Sequence, residues 1–133
     1  MNAYQITLKV LAIGVLGVAL VHVLLGVGSE TLLGSNISEA SQLDPNLDSQ
    51  NRFYGASFLL FGVIFWLSST DLSRYTTLLN LGLLVFFIAG ITRILSIVLV
   101  GWPTLEILVL LGIELIGPPI MYLWFRSLQK QQG

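Results

Sequence analysis

The chain predicts an all-α protein, a four-helix transmembrane bundle with both termini cytoplasmic. Composition points there first: of 133 residues 55% are apolar and 10% charged, with a mean hydropathy of +0.87, where soluble domains carry roughly 25% charged residues. Four apolar stretches follow, 10–27, 53–68, 78–100 and 107–125, each close to the roughly 20 residues that a helix needs to cross a bilayer. Threading them through the membrane in turn brings Lys9, Arg74, Arg126 and Lys130 to one face, which the positive-inside rule makes the cytoplasmic one.

The expected organisation is one integral-membrane domain over residues 1–133, with spans at about 6–28, 51–70, 77–100 and 105–126 and an outer loop at 29–50. The first apolar run exceeds the h-region of about 7–15 residues of a signal peptide, and no A-x-A-like site follows it, so a retained span is expected. Before the second span, Asp44 precedes Pro45, the pattern of an N-cap with proline at the first helical position. Asp48 and Arg52 then fall four residues apart on one face of that helix. Gly55 and Gly62 are seven apart, as are Gly82 and Ala89 in the third span, so each pair marks one packing side. No G-x-x-x-G dimer motif and no repeat of 20 to 50 residues occurs.

In the fourth span, Pro118 and Pro119 cannot donate to the carbonyls of Glu114 and Leu115. Either a plain packing kink or a cavity with exposed acceptors would result. Tyr4, Trp66, Tyr75, Tyr122 and Trp124 are placed at the inner boundary, Tyr54 and Trp102 at the outer one, as interfacial anchors. The polar tail 127–133 is expected to fray.

Charge excludes several functions. Six basic against seven acidic residues give a net charge of −1, which leaves no cationic surplus for nucleic acid. Without cysteine there are no disulfides, thiolate metal sites or redox thiols. A single histidine, His22, excludes bis-His haem and most zinc sites. No metal and no cofactor are expected.

Ionisable groups inside a span need a partner, a cavity or a function. Here they are His22, Arg93 and Glu114, at about 9, 12 and 13 Å below the outer boundary for a rise of about 1.5 Å per residue. Nearer that boundary come Asp48, Asn51, Arg52 and Tyr54 at the start of span two and Glu106 at the start of span four. Together these residues are the candidate ligand-binding or buried polar cluster. Gly82, Phe86, Ala89, Gly90, Arg93 and Ser96 share one side of span three, and Glu106, Leu110, Glu114, Gly117 and Met121 one side of span four. Arg93 and Glu114 are therefore expected to form a buried ion pair.

The stretch Leu47-Asp48-Ser49-x-x-Arg52-Phe53-Tyr54-Gly55, followed by Gly62, with Gly90-x-x-Arg93, Gly101-x-Pro103 and Glu106, resembles the family of small four-span membrane proteins called domain of unknown function 4345. The resemblance covers essentially the whole chain and implies a four-helix membrane bundle, without an established activity. With the charge rule, it implies a multi-pass protein of the bacterial inner (plasma) membrane.

Two functions fit these residues. In one, the chain is an accessory or scaffold subunit, its polar cluster locking the bundle while an apolar surface docks a larger membrane protein. In the other it binds a lipid or small amphipathic molecule, whose polar end lies in a pocket in the outer leaflet half. Membrane lipids are expected partners in both. Enzyme activity is disfavoured, because no nucleophile with a base and no E-x-x-H or H-E-x-x-H signature occurs. Transport is disfavoured because the inner half of the spans offers only Asn80 among apolar side chains.

Overall fold

The computed structural model describes residues 2–132. All regular structure among them is helical: α1 (Ala3–Leu25), a 3₁₀ turn (Gly26–Gly28), α2 (Ser29–Leu32), α3 (Glu39–Gln42), α4 (Pro45–Thr70), α5 (Thr76–Leu99) and α6 (Leu105–Gln132). Four of these segments are long and apolar enough to cross a membrane, Ala3–Leu32 as one span together with α4, α5 and α6. Helices α1 and α4 start ahead of their apolar stretches because local capping, not hydropathy, sets those ends. Asp44 accepts hydrogen bonds from the Asn46 and Leu47 amides with Pro45 at the first position, so α4 begins eight residues before Phe53. At α1, Asn2 and Gln5 form a reciprocal capping box. The tail expected to fray continues α6 as far as Gln132.

The chain divides into two compact units, Met1–Leu72 and Ser73–Gly133. In the first, α1 pairs with α4. Lys9 stands 5.5 Å over the ring of Trp66, while the Val27 amide donates to Asp48 at the opposite end, so the two helices run antiparallel. Along α1 the buried residues are Tyr4, Leu8, Ala12, Val15, Ala19 and His22; along α4 they include Asn51, Gly55, Gly62, Phe65 and Ser69. Steps of three and four residues place each set on one stripe. Small residues on these stripes bring the backbones close, which is how membrane helices gain packing without a hydrophobic driving force. Tyr4, expected at the lipid boundary, is fully buried, because its position is in phase with Leu8 and Ala12.

In the second unit α5 pairs with α6. A Cβ on Gly90 would lie 2.8 Å from Leu115 Cδ2 and 3.2 Å from Glu114 Cβ, so the two helices approach closely at Gly90, one of the residues expected on the packing side of this span. Buried residues of α6 include Glu114, Pro118, Met121 and Phe125. This stripe takes Pro118 in place of the expected Gly117 and leaves Glu106 exposed. Helix α6 continues through both prolines. At one end of this pair, Arg74 stands over Tyr75 and Arg126 over Tyr122, at 5.4 and 5.9 Å, an arrangement suited to a polar boundary.

Candidate functional site

A helix end leaves its last four carbonyls without intrahelical partners, and α1 ends at Leu25 inside an apolar stretch. The first unit meets this need with side chains from α4. Arg52 donates through Nη1 to the carbonyls of Val23 and Leu24, at 2.6 and 3.2 Å, and the Gly26 amide returns to His22 O. Asp48, one turn earlier on α4, accepts Arg52 Nε at 2.7 Å and the Val27 amide at 3.3 Å. A cation at a helix C-terminus also opposes the helix dipole. Asp48 thus bridges Arg52 and the turn after α1, and the pair acts as one clamp on the end of α1.

Gly26 makes the clamp possible. Its φ of 55° is a left-handed conformation that disfavours side chains, and a Cβ there would collide with the Asp48 carboxylate. Removing Arg52 should therefore loosen this end. Arg52→Ala is expected to lower thermal stability in detergent by about 1 kcal/mol and to expose the chain near residues 24–29 to proteolysis. Arg52→Lys should restore only part, since an ammonium lacks the planar fork. Parent-like stability of Arg52→Ala would refute the capping role.

Beside the clamp lies a buried polar cluster. His22 Nδ1 donates to Val18 O at 2.9 Å, which turns Nε2 towards Glu30 Oε1, 3.9 Å away. Glu30 accepts Asn51 Nδ2 at 2.8 Å, and the buried Ser29 hydroxyl lies 2.9 Å from Asn51 Oδ1 and 2.7 Å from Gly26 O. The Phe58 ring covers His22, with centroids 5.9 Å apart. The cluster ties the segment after α1 to α4.

In the second unit, Arg93 and Glu114 meet side by side. Nε reaches Oε2 at 2.6 Å and Nη2 reaches Oε1 at 3.0 Å, the two-pronged geometry that makes arginine–carboxylate pairs strong. The partners differ in access: the Glu114 side chain is 6% exposed and that of Arg93 30%. Arg93 borders a cleft of about 250 Å³ lined also by Thr92, Ser96, Ile97, Pro103, Ile107 and Leu111. A second cleft, of about 380 Å³, lies between Asn80, Phe87, Pro118, Pro119 and Tyr122. Among the described residues no three His, Asp or Glu side chains gather as a metal site would require.

A family model described as Domain of unknown function (DUF4345) matches residues 3–125. The chain belongs to this family. The match takes in α1 to α5 and α6 as far as Phe125. No curated protein and no solved structure matches.

In this DUF4345 chain the expected site residues divide by unit. His22, Asp48, Asn51 and Arg52 gather at one end of the α1/α4 pair, and Arg93 with Glu114 at the α5/α6 seam. Tyr54 does not join the first group: it is 52% exposed, its ring beside that of Phe53. Glu106 is exposed in the first turn of α6 and does not line the Arg93 cleft. Ser29 and Glu30, which sequence reasoning passed over, belong to the His22 cluster. Their signal was the Gly26-Val27-Gly28 turn, which folds the chain back beside the helix end.

Proposed function

We propose that this small multi-pass membrane protein binds the polar end of an amphipathic molecule, a lipid or a small compound, in the cleft beside Arg93. We place it in a bacterial inner membrane with both termini inside. One observation carries the reading: a guanidinium, partly exposed, borders a cleft whose other walls are mostly apolar. Ligand sites combine apolar walls with a few polar groups in this way. Native mass spectrometry of the protein extracted from its own membrane tests it. A reproducible adduct of small mass is expected, depleted in Ser96→Phe, which fills the cleft without altering either partner of the ion pair. A parent chain that carries no adduct would overturn the reading.

A second reading, an accessory or scaffold subunit for a larger membrane protein, draws on the first unit. There Asp48, Arg52, Asn51 and Glu30 bond to their own helix pair and turn, as parts of a lock do. A polypeptide bound at fixed stoichiometry in the same spectra, with no small adduct, would favour it.

A further inference from the structure

We infer that the group held beside Arg93 is a neutral carbonyl oxygen, the ester or ketone of an amphiphile, and not a carboxylate or phosphate. The inference rests on the amphiphile reading and names the ligand chemistry of that cleft. Two of the three guanidinium nitrogens, Nε and Nη2, are taken by the two oxygens of Glu114. Nη1 makes no hydrogen bond among the described residues, so its two N–H groups, with the second N–H of Nη2, are the donors left over. The charge on Arg93 is meanwhile already balanced by a carboxylate behind it, and no second cation lines the cleft.

That balance decides the ligand. An anion would leave the site with one negative charge in excess, in a helix apolar enough to lie in hydrocarbon, and an unpaired charge there is costly. A neutral carbonyl accepts the same N–H groups and adds no charge. The hydroxyl of Thr92 is already spent on Ala89 O at 2.7 Å, which leaves Ser96 as the other hydroxyl lining the cleft. At about 250 Å³ the cleft is smaller than the roughly 300–1,000 Å³ of sites that enclose a whole ligand. It suits the polar end of a molecule whose tail stays in the lipid.

The test uses the full chain in nanodiscs of diether phospholipid, which contain no carbonyl. Three probes with the same dodecyl-length tail are titrated: methyl dodecanoate, dodecanoate and dodecyl methyl ether. Methyl dodecanoate should bind saturably and about tenfold tighter than the ether, whose oxygen is the weaker acceptor for a charged donor. Ser96→Phe, and independently Ile107→Trp, should abolish that binding while keeping the parent melting temperature. Cleft-dependent binding of dodecanoate in preference to the ester would overturn the carbonyl inference and leave the amphiphile reading standing. If no probe binds in a cleft-dependent way, both fall. Repeating the titration in ester-linked lipid identifies the source. Weaker apparent binding of methyl dodecanoate there assigns the cleft to the lipid's own ester, and unchanged binding assigns it to a free carbonyl amphiphile.

Discussion

Arg93→Ala should be the most damaging single change in the α5/α6 unit, at about 3–5 kcal/mol by comparison with broken buried ion pairs. The substitution strands Glu114, whose side chain is 6% exposed and whose two oxygens both depend on Arg93. Glu114→Ala should cost less, because the more exposed guanidinium can turn towards the cleft and find other partners. The double variant should be more stable than Arg93→Ala alone, since it removes both charges together and leaves neither uncompensated. Reversible unfolding of the four proteins in the same detergent checks all three orders. A double variant no more stable than Arg93→Ala would mean that the pair contributes packing and not charge compensation.

Gly55→Ala should disrupt the α1/α4 unit, at about 1–3 kcal/mol as in other overpacked cores. A Cβ at Gly55 would lie 2.8 Å from Val23 N and 2.9 Å from Ala19 O. Both are backbone atoms in the last two turns of α1, so neither can yield without moving that end of the helix. Gly62→Ala meets Leu16 Cδ2 and Cγ at 2.5 Å, and a side chain can rotate away, so a smaller loss is expected. Gly112→Ala and Gly117→Ala meet nothing within 4 Å and should be neutral or gain up to about 1 kcal/mol from helix propensity. Thermal melts of these four variants give the ranking. If Gly55→Ala were as stable as Gly112→Ala, close approach at Gly55 could not be what holds the pair.

The spans were legible because hydropathy and capping are local. A run of apolar residues of bilayer length is visible in the chain itself, and so is Asp44-Pro45 as a helix start. Asp48 with Arg52 needed only the helical repeat. The Arg93–Glu114 pair was legible for a different reason. A charge buried in an apolar span requires an opposite one, and the third and fourth spans offer one each, on faces marked by small residues. Tyr54 was misplaced because polarity alone does not tell which side of a helix faces the partner. Gly55, next in sequence, occupies the seam, and Tyr54 is thereby turned about 100° away from it.

The sequence by itself determined that there are four helices of membrane-crossing length, roughly where each begins, and which charges could not stand alone. Tertiary structure decided what those charges do. Arg52 reaches the carbonyls of Val23 and Leu24, 29 and 28 residues earlier, and Asn51 reaches Glu30, 21 residues earlier. Such partners follow from the register of two antiparallel helices, set where Gly55 meets Ala19 and Gly62 meets Leu16. A register shift of one residue would turn every one of these side chains by about 100°. Periodicity identifies the face a helix buries, but only packing between specific small and large side chains chooses the residue opposite.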